Sequence, residues 1–559
     1  MSTAIDAGAL GAQIDQAFDR LDRMRFATAL WSHEPAIWSS DAAVQQRIGQ
    51  RLGWLHALEV VASDLDRLRG FAEGVRTGGF TDVVLLGMGG SSLAPEVMRQ
   101  VLGVSPASPR FRMLDSVAPD AVRDAMANAA TSLFLFASKS GTTIEPNVMA
   151  AEARRRIEAA GHDPWGSRFV AITDDKTALH TRAAAERFRD VFVNPSDIGG
   201  RYSALSYFGL VPAALMGASL DALLASARAM AQACRTPDPR TNPGLALGAM
   251  MAAAAANGRD KLTLLLPPRL ASFGLWVEQL VAESTGKQGK GIVPIAGEAA
   301  LAEYAEDRAA VAMTVGGETP DPAVVQRLRA SGAPVATLEM ADANALGGEF
   351  FRWEVATAAA GWLLRINPFD EPNVQQAKDA TRALLDVYAS QRRLPAPEPH
   401  ASRDGVRLTL TNAAQGRLGS DPPDRFLRTL GGGDYFGLLA FTAPGAPELA
   451  AAFDRLRAGV AARTGCATMF GYGPRYLHST GQLHKGGPPT GVFVIVTATP
   501  VDDLPIPGEP FSFGVLEAAQ ALGDFASLEK TGRRALLVQL PRPDAAVFSP
   551  IADALLAGL

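Results

Sequence analysis

The sequence predicts an α/β fold: two successive units built on parallel sheets, helices flanking them, and an extra α/β unit at the C-terminal end. Three observations predict it. Short apolar runs such as "DVVLLGMG" and "SLFLFASKSG" lack polar alternation, as strands buried on both faces do. Segments of helical period alternate with these runs, the signature of βαβ units. Turns rich in glycine and serine stand where strands end and helices begin.

Residues 1–79 read as an N-terminal helical segment. "SDAAVQQRIGQRLGWLHALEVVASDLDRLRGFAEGV" places apolar residues three and four apart, and Ser40 or Asp41 is suited to cap its start. Residues 80–240 alternate strand and helix: "DVVLLGMG", "SSLAPEVMRQVLG", "RFRMLDS", "PDAVRDAMANAA", "SLFLFASKSG", "EPNVMAAEARRRIEAAG", "RFVAITDD". Residues 241–393 repeat the alternation, with an alanine-rich helix, strands "KLTLLLPP", "AVAMTVGG" and "PVATLEM", and a final turn and long helix from "NPFDEP". "LPAPEPHASRDG" reads as a linker over 394–404. Residues 405–559 supply strands "VRLTLT", "YFGLLAFT", "TGVFVIVTAT" and "RRALLVQLP", with helices "APELAAAFDRLRAGVAART" and "GVLEAAQALGDFASLEKTG". A chain of 559 residues holds roughly three or four such units.

The net charge of −5 and pI near 5.9 give no basic excess for nucleic acid, whereas a small anion needs only a local positive site. Cys234 and Cys466 are far apart, so neither a disulfide framework nor a zinc site is expected. The first twenty residues lack a basic stretch followed by an apolar core, and "NPGLALGAMMAAAAANG" is too short to span a bilayer. A cytoplasmic protein that meets no membrane is expected.

Two turns suit an anion. In "LLGMGGSSLAPE", Gly87, Gly89 and Gly90 permit close backbone approach, and Ser91 and Ser92 fall at a helix start. The spacing is neither G-x-G-x-x-G nor a Walker loop, and tight packing of a β–α turn would explain it equally. In "FASKSGTTIEP", Ser138, Ser140, Thr142 and Thr143 surround Lys139, a composition suited to phosphate. The same residues would also make a capped helix start, with Glu145 in its first turn. At the ends of neighbouring parallel strands, the two turns would face one crevice.

Four further groups could carry chemistry. Arg201 follows a glycine pair in "IGGRYSALS", where a guanidinium could meet a developing oxyanion or simply form a salt bridge. Gln279 and Glu283 stand four apart on one helix face, and Glu283 is either a base at a helix end or half of a surface pair with Lys287. Lys378 begins a helix after "NPFDEPNVQQ", where most lysines are solvated. "GYGPRYLHSTGQLHKGGPPTG" (471–491) reads as a long polar loop with Arg475, His478, His484 and Lys485. Its H-x₅-H spacing suits no common metal site.

Five segments in order, "GMGGSSLAPE", "SKSGTTIEP", "IGGRYSALS", "QLVAESTGKQGKG" and "NPFDEPNVQQAK", resemble the phosphoglucose isomerase family across about residues 80–385. The resemblance implies two sugar-isomerase subdomains with flanking helices. It implies a dimer, and interconversion of glucose 6-phosphate and fructose 6-phosphate without metal or organic cofactor. By motif, Gly90 and Ser91 would line the sugar-phosphate site, and Ser138, Lys139, Ser140 and Thr143 would cradle the phosphate. Glu283 would move the proton between C1 and C2, with Gln279 beside it. Arg201 would stabilise the enediolate, and Lys378 would lie near the ring oxygen and O1.

Two departures stand out. The family's ring-opening histidine lies between the base and the final lysine, but no histidine lies between Glu283 and Lys378. Either Lys378 would serve alone, or His478 or His484, from this chain or a second subunit, would replace it, and His484 is set among the expected catalytic residues. Residues 405–559 resemble the tail of the isomerase half of transaldolase–isomerase fusion proteins. With only residues 1–79 upstream, no transaldolase activity is expected. Two alternatives stay open: an isomerase of another sugar with an anionic group at C6, such as mannose 6-phosphate, and a non-catalytic sugar-phosphate-binding regulator.

Overall fold

The computed structural model describes residues 3–559, apart from the side chains of Val374 and Ala377. Its strands fall into three sheets. The chain opens with a strand unforeseen in the sequence, β1 (Ala4–Asp6), and then runs through helices. Asp41 caps Ala42–Gly49 by accepting from the Val44 N–H at 2.9 Å.

The first sheet holds β2 (Asp82–Leu86), β3 (Arg110–Leu114), β4 (Ser132–Ala137), β5 (Phe169–Asp174) and β6 (Asp190–Asn194), in the order β3-β2-β4-β5-β6. All pairs are parallel, with Leu85 facing Met113 on one side and Leu135 on the other. Every residue of β2 and β4 is buried, which is why both are apolar throughout after their first residues, Asp82 and Ser132. The chain leaves β2 for β3 on one side and returns to β4 on the other. The carboxyl ends of β2 and β4 therefore form a topological switch point, where open α/β sheets bind ligands.

The second sheet holds β7 (Lys261–Leu265), β8 (Val293–Ile295), β9 (Arg308–Val315) and β10 (Val335–Met340) in parallel. The strand β1 adds to it antiparallel along β10. Helices Pro243–Ala256 and Leu346–Leu364 are apolar nearly all round because they lie inside the molecule. Together with helix Gly11–Arg23 they join the N-terminal helices and both sheets into one continuous core.

The third sheet contains β11 (Ala401–Arg403), β12 (Val406–Leu410), β13 (Tyr435–Phe441), β14 (Ala467–Tyr472), β15 (Gly491–Ala498) and β16 (Arg534–Leu540), ordered β11-β12-β16-β15-β13-β14. Part of the expected linker, Ala401–Arg403, is thus an edge strand of this domain. The domain has its own core. It is joined to the rest by helix Phe513–Lys530, which packs along helix Val374–Gln391; a Cβ on Gly523 would lie 2.7 Å from Thr381 Oγ1. Among the described residues, no helix is long and apolar enough to cross a membrane.

Candidate active site

The turn after β2 is held closely on two sides. Gly89 has φ +53°, and a Cβ there would lie 2.6 Å from the His478 carbonyl oxygen. A Cβ on Gly90 would lie 2.0 Å from the Gly200 carbonyl oxygen. The glycines therefore let this turn meet both the Arg201 turn and the C-terminal domain. Ser91 sits half-buried on the same turn, its N–H bonded to the Met88 carbonyl.

The turn after β4 is organised by its own hydroxyls. Ser138 Oγ accepts from the Gly141 N–H at 3.1 Å, and Ser140 and Thr142 share a hydroxyl contact of 2.9 Å. Gly141 takes φ +71°. Thr143 stands at the N-cap of helix Ile144–Ala159 but makes no side-chain capping bond. Thr143 thus leaves the start of that 16-residue helix without a side-chain cap, and the helix dipole there favours an anion. Lys139 is less available: its ammonium is bonded to Asp174 and to the Ser196 carbonyl.

Arg201 lies in the short turn Gly200–Tyr202 and is 5% exposed. Its Nε donates to Ser284 Oγ at 2.7 Å, and Nη2 donates to the carbonyls of Pro368 and Asp370 at 2.8 and 2.9 Å. Nη1 faces Glu371 at 3.0 Å and Glu283 at 3.5 Å. Burial works against the guanidinium charge, but Glu283 and then Glu371 overcome it and raise the Arg201 pKa. Glu283 projects from the last turns of helix Phe273–Thr285. Burial pushes its carboxyl up to about 7 against the pull of Arg201, and Glu371 adds to the rise. Its surface pairing with Lys287 is not formed. Lys287 is buried, bonds the Asn367 carbonyl and Asp370, and is brought down to about 8 by burial.

The same helix face carries Gln279, whose Nε2 donates to the His478 carbonyl at 2.7 Å. The imidazole of His478 lies 2.9 Å, from Nε2, to Glu145 Oε1, and Gln520 Nε2 donates to that oxygen at 2.7 Å. Burial raises the Glu145 pKa, but the neighbouring His478 outweighs it and the net shift is downward. A cavity of about 370 Å³ opens here, lined by Thr143, Glu145, Lys378, His478 and Gln520 among others. That volume is within the ordinary range for a small-molecule site. Neither Glu283 nor Gln279 lines it; Gln279, one turn earlier on the same face as Glu283, bonds the backbone of the lining residue His478.

The polar segment 471–491 is not the long loop its composition suggested. It forms the short turn Arg475–His478 and helix Gly481–Gly486, largely buried against the first two units. Arg475 makes a two-pronged ion pair with Asp115 at 2.7 Å for each bond. Gln482 bonds Asn373 and the Gly286 carbonyl. His484 lies apart from these groups. Its ring is 1% exposed, lies among Tyr476 and Phe493, and has neither nitrogen hydrogen-bonded. It lines no part of the cavity, whereas His478 of the same chain does.

Sequence reasoning missed Glu371 as a partner of Arg201, and read Glu145 only as a first-turn acid. Neither carries a local signal, since each acquires its role from residues more than a hundred positions away.

A family model, Phosphoglucose isomerase, matches residues 55–303. Glucose-6-phosphate isomerase of Prochlorococcus marinus (strain MIT 9313) is 29% identical over 440 residues, covering 69% of this chain and 78% of that one. A protein named probable glucose-6-phosphate isomerase, of Haloarcula marismortui, is 30% identical over 376 residues, covering 59% of this chain and 83% of that one. In fold, the chain is similar to the crystal structure of a hypothetical protein from Thermus thermophilus. The TM-score is 0.57 at 24% identity, covering 68% of this chain and 99% of that one.

Proposed function

The chain belongs to the phosphoglucose isomerase family, and from that premise we propose that it interconverts glucose 6-phosphate and fructose 6-phosphate through an enediolate, with Glu283 as the base. The observation that carries this is the Arg201–Glu283 pair. A buried carboxyl brought up to about 7 stands 3.5 Å from a buried guanidinium. Such a group is basic enough to take a proton alpha to a carbonyl near neutral pH and acidic enough to return it. Proton transfer of this kind contributes about 10²–10⁴-fold. The adjacent guanidinium meets the charge that develops on oxygen.

The remaining roles follow from placement. The phosphate binds the Ser138–Thr143 turn and the open start of helix Ile144–Ala159, beside Ser91 on the Gly90 turn. Held there, it positions the reacting end of the sugar. His478, polarised by Glu145, opens the ring. A carboxylate accepting from Nε2–H selects the tautomer that leaves Nδ1 free to exchange a proton with the sugar. Lys378 meets the ring oxygen or O1, and Gln279 fixes the His478 backbone. No cofactor enters this scheme. We include in the proposal a cytoplasmic homodimer that binds no nucleic acid, in keeping with the acidic net charge.

Isomerisation in deuterium oxide tests the scheme. Deuterium is expected at C2 of glucose 6-phosphate in a reaction run from fructose 6-phosphate. Turnover without any label at C2 would favour a hydride shift over a base. His478→Asn is expected to slow turnover of the cyclic sugar at least about tenfold while sparing an open-chain aldose phosphate. Equal effects on both would remove His478 from ring opening.

A further inference from the structure

Arg201 spends most of its donors on fixed partners. Nε is held by Ser284, and Nη2 by two carbonyls of the "NPFDEP" turn. Nη1 is shared, and it stands nearer Glu371, at 3.0 Å, than Glu283, at 3.5 Å. A contact of 3.0 Å is a hydrogen bond, whereas one of 3.5 Å is at the edge of being one. The backbone of the turn that carries Glu371 is pinned, because Pro368 and Asp370 use their carbonyls to hold Arg201, and Asp370 also holds Lys287.

From this geometry we propose that Glu371 is a positioning residue for the isomerisation: it draws Arg201 Nη1 to itself and so leaves the Glu283 carboxylate unbonded and free to act as base. The inference rests on the reading of Glu283 as the base. Without Glu371, the guanidinium would turn its remaining N–H to Glu283. A close pair of that kind favours the ionised carboxylate and makes it a weaker base. Titratable and charged groups facing Glu283 come from several elements: Arg201 and the neutral phenol of Tyr202 on their turn, Lys287 after the helix, Glu371 on the "NPFDEP" turn, and His478 from the C-terminal domain. Glu371 is the carboxylate among them that raises the Glu283 pKa, alongside the larger effect of burial.

The test is the pH profile of kcat/KM for fructose 6-phosphate. In Glu371→Gln the acid limb should move at least about 0.5 unit toward lower pH, with kcat reduced several-fold at neutral pH, because a proton acceptor of lower pKa is a weaker base. Glu371→Asp keeps the charge and should bring the limb back toward that of the parent. The Glu371 side chain is 40% exposed, so its removal leaves no buried cavity; Glu371→Ser supplies a second neutral variant should the first fold poorly. An acid limb within about 0.2 unit of the parent in both neutral variants, whatever their kcat, would overturn the proposal and leave Glu371 a merely structural contact. Glu283→Gln, run beside them, separates the two readings. If it keeps parental turnover, the base assignment itself fails. If it is inactive and the Glu371 limb is unmoved, only the positioning role fails.

Discussion

Gly90 has no room for a side chain, because a Cβ would sit 2.0 Å from the Gly200 carbonyl oxygen, a backbone atom that cannot swing aside. Gly90→Ala must therefore push the Gly200–Tyr202 turn, and with it Arg201. Overpacking of this sort costs about 1–3 kcal/mol, and activity should fall more than about tenfold. An Ala variant with parental stability and turnover would show that the two turns are not rigidly coupled. The glycine pair was legible in the sequence as a place of close approach; what it approaches was not, since Gly200 is over a hundred residues away. His484 shows the converse. A histidine in a polar stretch looked catalytic, yet the fold encloses it among aromatic rings. Burial, with Lys485 and Arg533 nearby, holds its pKa well below 6.5. The native state then keeps this ring neutral while the unfolded chain takes up a proton near pH 6.5. Stability is full above that value and falls as pH drops below it, by about 1.4 kcal/mol per unit at most from this one group. His484→Leu should flatten that acid-side loss in denaturant unfolding measured between about pH 7 and 5 and leave turnover in place. A loss of turnover matching that of His478→Asn would return His484 to the mechanism.

Elements with apolar or amphipathic runs were legible: β2 and β4 as short apolar stretches, and helix Phe273–Thr285 with Gln279 and Glu283 on one face. Short strands were not. The strand β8 is three residues including Pro294, β1 is three residues at a sheet edge, and β6 begins with the charged Asp190 and ends before a proline. Their strand character comes from the neighbours that pair with them, not from their own propensity. The segment 471–491 reads as a loop for a related reason. Its polar side chains are not solvated; they are spent on cross-domain bonds such as Arg475–Asp115 and Gln482–Gly286. Replacing Arg475 with Met would leave Asp115, itself 4% exposed, without its cation. Breaking a pair of this burial costs roughly 3 kcal/mol, which denaturant unfolding would report. A loss below about 0.5 kcal/mol would mean that the pair is solvated and does not anchor the segment.

At the scale of the molecule, the division into an N-terminal helical layer, two parallel-sheet units and a C-terminal domain was legible from alternation alone. The continuity of the core across the first three was not, because periodicity reports which face of a helix is apolar but not which neighbour covers it. The helix pair Val374–Gln391 and Phe513–Lys530 couples the last domain to the rest, and that domain supplies His478 to the cavity. All seven tryptophans lie in residues 1–393. Tryptophan fluorescence thus follows the first two units, while far-ultraviolet circular dichroism follows the whole chain. The two signals should share one thermal midpoint; separate midpoints would show that the C-terminal domain unfolds on its own. The central claim, that Glu283 moves the proton of a sugar-phosphate isomerisation, is tested most directly by turnover of fructose 6-phosphate to glucose 6-phosphate, with parent and Glu283→Gln measured side by side. The parent is expected to turn over, and the folded variant to lose at least about 10²–10⁴-fold in kcat with KM little changed. A parent that binds fructose 6-phosphate without converting it, or a variant as active as the parent, would contradict the claim.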